Sequence, residues 1–296
     1  MPRSWTRAPY LPALLTALIV SGCGDSVGST AGPAGGLTDD MGATTRDEVE
    51  AALSAMTLPT SLAPIGTTQA PAGDAAAFMA GCVNPSSPTD SDGDGVPNDA
   101  TFVFTAPPCR FTGWRGGTLD LVGQLQIQDP SPSAAGFGYE GTLTGFRSRF
   151  TSADAKLIYD VTRNGTRTLS GSTASLQLTE DVQVVRTFAG HPDAAIDKKW
   201  TVNFTPAAQL QINAEVPSGS LDLSGTMDWI RGDEHIMLTL TTPTPLQYDA
   251  SCTTTVQRIK AGEIQAAGTF GNSDGVVRIR WSECGKEPAF TFVGTG

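Results

Sequence analysis

Histidine is almost missing from this chain of 296 residues: His191 and His235 are the only two, and no Cys-x-x-Cys pair stands near either. A zinc site of the common Cys/His kind therefore lacks its donors. Basic residues are few, 19 Lys and Arg against 30 Asp and Glu, and the formal net charge of −11 repels phosphate backbones. Nucleic acid is not an expected partner. Aromatics amount to 7% and form no girdles, so a membrane-spanning barrel lacks its usual signature. No apolar run reaches the roughly 20 residues that a spanning helix needs. No serine or cysteine sits in a recognisable nucleophile elbow. Helical crossovers between strands are also lacking, which excludes a parallel sheet.

What is present begins with an address. Arg3 and Arg7 form a positive start, Leu11 to Val20 an apolar centre, and Ser21-Gly22 a pair of small residues immediately before Cys23. This order of elements resembles the signal and lipobox of bacterial lipoproteins. The resemblance covers the first 23 residues and implies that Cys23 is the lipidated first residue of an exported protein, anchored to a cell-envelope membrane at its outer-membrane or periplasmic face.

Composition is that of a folded protein with many turns: 39% hydrophobic, 17% charged, 33 glycines and 20 prolines. In an oxidising compartment the remaining cysteines, Cys82, Cys109, Cys252 and Cys284, are expected as two disulfides. Proximity in the chain favours Cys82 with Cys109 and Cys252 with Cys284, each closing a loop worth roughly 3 kcal/mol.

The reading divides the chain into a signal at 1–22, a flexible tether at 23–44, a segment at 45–100 with a short helix, an irregular stretch and an acidic loop, and a β domain at 101–296. The tether is Gly-, Ser-, Ala- and Thr-rich. The helix is signalled by Thr45 and Glu48 in capping-box spacing and by Val49, Ala52, Leu53 and Met56 on one face, with Pro59 ending it. From Thr101 the period changes to two. Leu119, Leu121, Leu125 and Ile127 alternate with polar residues, as do Leu210, Ile212, Ala214 and Val216, and Val277, Ile279 and Trp281. Turn signals lie between such runs: Asn164-Gly165 as a two-residue hairpin, Ser218-Gly219, Arg231-Gly232-Asp233, and Asn272-Ser273-Asp274-Gly275. An all-β fold is expected, an antiparallel sandwich or barrel of roughly a dozen strands with one N-terminal helix. One internal echo joins Gly117–Gly123 to Gly219–Gly225.

One constellation carries chemistry. Asp90, Asp92 and Asp94 place carboxylates at every second residue, and Gly93 and Gly95 let the chain fold back. A hard cation needs several oxygens at one point, and a tight loop can supply these three with a backbone carbonyl from Val96. The stretch resembles the calcium loops of thrombospondin type 3 repeats and, more distantly, an EF-hand loop. Matching positions imply Asp90, Asp92, Asp94 and Asn98 as side-chain ligands of Ca2+, with Asp99 as a neighbour able to substitute. Thr101 stands where an EF-hand has its bidentate glutamate, and the stretch occurs once, whereas the repeats come in arrays.

Other groups point to less. Asp222 and Asp228 have the composition of a glycosidase pair but share the polar face of one strand. Arg231-Gly232-Asp233 spells an adhesion tripeptide at a hairpin turn. The function expected is a non-enzymatic binding or structural module of the envelope, tethered to the membrane, stabilised by calcium and engaging another envelope component. The alternatives are a barrel that carries a small apolar ligand, with inward Gly123 and Gly225 leaving the space, and a secreted-side hydrolase.

Overall fold

From Asp99 onward the period-two pattern sends successive side chains to opposite faces of a pleated backbone, which gives a sheet one dry side and one wet side. The computed structural model describes residues 35–56, 89–107, 109–112, 118–152, 154–187, 192–212, 214–252, 258–284, 286 and 288–295. Its strands are β1 (Asp99–Phe104), β2 (Arg110–Thr112), β3 (Thr118–Gln128), β4 (Tyr139–Thr151), β5 (Leu157–Ser172), β6 (Ser175–Thr187), β7 (Ala194–Pro206), β8 (Gly219–Arg231), β9 (Glu234–Tyr248), β10 (Ile259–Phe270), β11 (Ser273–Trp281) and β12 (Ala289–Thr295). All twelve belong to one sheet, ordered β1, β3, β4 and onward to β12, with β2 beside β3. The pairings are antiparallel throughout, as the all-β reading expects. The edges β1 and β12 do not pair, so the sheet is open.

The sheet curls around one helix, α1 (Gly35–Met56). Tyr139 of β4 donates its hydroxyl to the Ala55 carbonyl at 2.9 Å, and Arg231 of β8 reaches Asp40 at 2.8 Å. Arg163 of β5 and Lys198 of β7 hold Glu48 at 2.6 and 2.7 Å, and Arg186 of β6 binds Asp47. The Phe290 ring of β12 lies against Gly42. A helix this polar is rarely buried; here the strands supply a partner for each of these acids.

Strands β6 and β7 show how the interior came to be charged. Leu176, Leu178, Val182 and Val184 face inward, and so, by the same parity, do Glu180 and Arg186. On β7, Lys198 lies inward among Ile196, Trp200 and Val202. The Lys198 ammonium is 2.8 Å from Glu180, which also accepts the Trp200 indole N–H at 2.6 Å. Burial alone would push Glu48 and Glu180 up. The adjacent Lys198, with Arg163 at Glu48 and Arg167 at Glu180, outweighs it and holds both below the usual carboxylate range. Tyr139, buried beside this network, is pushed up to about 12, chiefly by burial. Outward positions of β6 and β7 include Ser175, Gln177, Thr179, Asp181, Asp197, Lys199 and Asn203, a face that water wets. Among the described residues no helix is long and apolar enough to cross a membrane.

Several local expectations are corrected. The helix starts at Gly35, so 35–44 belong to the folded body and not to the tether. Thr45 is mid-helix, its hydroxyl donating to the Met41 carbonyl at 2.9 Å, and Glu48 is an ion-pair partner instead of a capping residue. Tertiary pairing overrides the weak helix propensity of this stretch. Asn164-Gly165 is not a hairpin turn but the middle of β5, where Gly165 has φ 138° and a Cβ would stand 2.2 Å from the Asp181 carbonyl oxygen. The turn comes instead at Thr173-Ala174. The described residues of the Leu210 to Val216 run, 210–212 and 214–216, form no strand. That segment crosses from β7 to β8, tied by Leu210 N–H to the Thr173 carbonyl at 2.8 Å; Leu210 is buried, and Ile212, Ala214 and Val216 line with it a pocket shared with Met56, Leu169 and Leu176. Arg231-Gly232-Asp233 does form a turn, while the β10–β11 turn falls one step early, at Gly271-Asn272. The echoed glycines, Gly123 and Gly225, both sit beside a shift of ladder register. A Cβ would lie 2.2 Å from the Gly145 carbonyl oxygen at the first and 2.3 Å from that of Lys199 at the second. They admit a neighbouring strand's backbone, not a ligand.

Candidate metal centre

Residues 89–98 run into β1 and close on themselves. The Asn98 N–H donates to the Thr89 carbonyl at 2.7 Å, and the Asn98 side chain accepts from Ser91 N–H at 3.1 Å and donates to the Ser91 hydroxyl at 2.8 Å. Within the loop each aspartate accepts backbone N–H groups ahead of it. Asp90 takes Gly93 at 2.8 Å and Gly95 at 3.0 Å, Asp92 takes Asp94 at 3.3 Å, and Asp94 takes Val96 at 2.8 Å. Positive φ at Gly93 and Gly95, 76° and 92°, lets the chain double back so that these bonds form.

The outcome is one carboxylate oxygen each from Asp90, Asp92 and Asp94 within 4.8 Å of one another. Oxygens bound to calcium at roughly 2.4 Å stand about 5 Å apart when they face each other across the ion, so the spacing suits that cation. Asp94 is only 3% exposed, and its second oxygen accepts the Gly136 N–H at 3.0 Å, which fastens the loop to the segment after β3. The second oxygen of Asp92 is buried with no hydrogen-bond partner. Burial raises both carboxyls; backbone N–H groups lower them again, and neighbouring carboxylates raise them further.

The other expected ligands fare differently. Val96 was expected to give only its backbone carbonyl, and its side chain, buried in the core, anchors the loop. Asn98 directs its amide to Ser91 and serves as the clasp. Asp99 is not brought into the group: as the first residue of β1 it faces outward, opposite in parity to buried Ala100, and accepts from Gln126 at 3.0 Å. One more buried acid, Asp129, lies near the loop where β3 ends, outside that group of three. Asp99 pairs with Gln128, so the next residue out on each strand is Asn98 or Asp129, and the Asp129 N–H donates to the Asn98 carbonyl at 3.2 Å.

Cys252 and Cys284 form the expected disulfide with Cα atoms 6.1 Å apart, joining the segments that follow β9 and β11. Cys109 is buried and disulfide-bonded. Cys82, Cys23, the leader, His191 and Pro59 lie outside the described residues. Asp222 and Asp228 are six residues apart on the outer face of β8, roughly 20 Å at strand rise, too far for a glycosidase pair. Asp228 pairs with exposed His235 at 2.6 Å, and the adhesion-like Arg231 is buried against Trp229 and held by Asp40. Comparison with family models, curated proteins and solved structures finds no match.

Proposed function

We propose that this chain is a lipid-anchored module of a bacterial cell envelope, tethered at Cys23, which takes a calcium ion at the Asp90–Asp94 loop and binds another envelope component instead of catalysing a reaction. The observation that carries the calcium reading is the buried, unpartnered oxygen of Asp92 beside Asp90 and the nearly inaccessible Asp94. A carboxylate oxygen removed from water without a donor costs free energy, and a divalent cation offsets that cost for all three acids together. The interior supports a binding module: α1 and its ion pairs occupy the concave side of the sheet, where a carrier would need room.

The test is a calcium titration of oxidised, chelator-treated protein followed by thermal melting. At free calcium of about 100 times Kd, stability should rise by about 2.7 kcal/mol. No shift at millimolar calcium removes the reading. Metabolic fatty-acid labelling, lost on Cys23→Ala, tests the anchor separately.

A further inference from the structure

We propose that the outer face of β6 to β9, at the end that carries the β8–β9 turn, is a docking surface for a basic protein segment in which lysine or arginine alternates with apolar residues. The inference rests on reading the chain as a binding module, and it names the surface and the chemistry of the partner.

Apolar side chains stand here where the pleat points to water. Val185, Ala195 and Ile230 are the apolar residues at the outward positions of β6, β7 and β8, whose other outward positions are polar. The ladder sets them in one row: Val185 pairs with Ala195, and Ala195 with Ile230. Met237 of β9 lies a diagonal step away, since Ile230 pairs with His235 and Met237 with Asp228. Val185 is 43%, Ile230 41% and Met237 63% exposed. Single exposed apolar residues are ordinary, but a contiguous row across neighbouring strands marks a contact surface.

Charge selects the occupant. Asp197 directly faces Asp228 in the β7–β8 ladder, an opposition of like charges that costs stability in a sheet. Asp228 has His235 at 2.6 Å, whereas no ion pair holds Asp197. Asp193, Asp233 and Glu234, exposed where these strands begin or end, are likewise outside any ion pair. The cations of the same strands are engaged elsewhere: Arg186, Lys198 and Arg231 are buried on the inner side, and Lys199 pairs with Asp181. An acidic rim around an apolar row repels anionic head groups and the same face of a second copy, and attracts a segment whose apolar side chains are flanked by lysine or arginine. Such a segment covers the row and relieves the Asp197–Asp228 opposition together.

The experiment is a fluorescence-anisotropy titration of the full chain with a labelled peptide that alternates lysine with leucine, at about 0.15 M salt so that diffuse charge attraction is screened. A control peptide carries serine for each leucine and should bind about tenfold more weakly. Ile230→Thr/Met237→Thr should weaken binding of the first peptide about tenfold and Asp197→Asn about threefold, whereas Asp222→Asn, exposed on β8 outside the patch, should change it less than about twofold. Thermal melting is the second readout: Asp197→Asn should melt at or above the parent's temperature, because an opposed charge is gone. A melt well below the parent overturns the inference, since Asp197 would then be holding structure. Parent-like affinity in Ile230→Thr/Met237→Thr, or equal losses in Asp197→Asn and Asp222→Asn, overturns it and leaves the binding reading standing, because the peptide is then held elsewhere or by net charge alone. No binding by the parent does the same, leaving a partner of other chemistry. A parent dimer that Ile230→Thr/Met237→Thr disperses in sedimentation overturns the inference in favour of a second copy. Recovery of the peptide with altered mass overturns both, because the chain would then be catalysing a reaction.

Discussion

Replacing Lys198 by methionine should destabilise the protein more than any surface charge change on the same strand. Its ammonium is 1% exposed and stands 2.7 Å from Glu48 and 2.8 Å from Glu180, over the Trp200 ring at 4.1 Å. Removing it leaves two buried carboxylates facing a methyl thioether. Losing one partner of a buried pair costs about 3–5 kcal/mol. Arg163 still holds Glu48, and Trp200 and Arg167 remain beside Glu180, so the lower end applies, about 3 kcal/mol. For a domain of this size that lowers Tm by roughly 6–12 °C. Lys199→Met is the control: its neighbour on β7 pairs with Asp181 at 3.1 Å, with the two side chains 67% and 62% exposed, and its loss should stay within about 1 kcal/mol. Urea and thermal melts of both variants, with the double variant Lys198→Met/Glu180→Gln, complete the comparison. The double variant should recover part of the loss, because the stranded charge goes with its partner. Equal melting of Lys198→Met and Lys199→Met would refute the claim that paired charges hold α1 in place.

The same network sets the response to acid. Glu48 and Glu180 are held below the ordinary carboxylate range, so their contribution is complete above roughly pH 5 and is lost as pH falls through that range toward their lowered values. Melting temperature should be level from neutral pH to about 5 and then drop, and Glu48→Gln should flatten the drop. Asp92 and Asp94 are shifted the other way, so their charges weigh against the metal-free fold at neutral pH, and calcium protection should fade as they protonate. Gly225→Val should fail to yield stable protein, because its Cβ would stand 2.3 Å from the Lys199 carbonyl oxygen and 2.5 Å from the Trp200 Cα, both backbone atoms; soluble expression with parent-like melting would contradict it.

Alternation of apolar residues along Leu119 to Ile127 and Val277 to Trp281 made the sheet legible, because a half-buried strand needs no partner information to show its period. The interior ion pairs were not legible. In Ser175–Thr187 the inward set includes Glu180 and Arg186, and period-two reasoning assigns charges outward unless their partners on other elements are known. Leu210, Ile212, Ala214 and Val216 alternate like a strand yet line a pocket at one end of the interior, a placement set by tertiary packing and not by local pattern. At the acidic loop, Asp90, Asp92 and Asp94 were readable from their spacing. Asp99 was misplaced because strand parity begins at that residue and turns it to the outer face.

The helix at the centre also imposes an order of assembly. Its ion pairs with the strands span 115, 139, 150 and 191 residues, whereas each hairpin from β3 to β12 closes locally. Loop-closure entropy thus favours zipping of hairpins before capture of the amino-terminal segment. On these loop lengths α1, the first of the described elements in chain order, docks last. Glu48 finds its partners once β5 and β7 exist and Asp47 its strand partner with β6, whereas Asp40 waits for Arg231 at the end of β8.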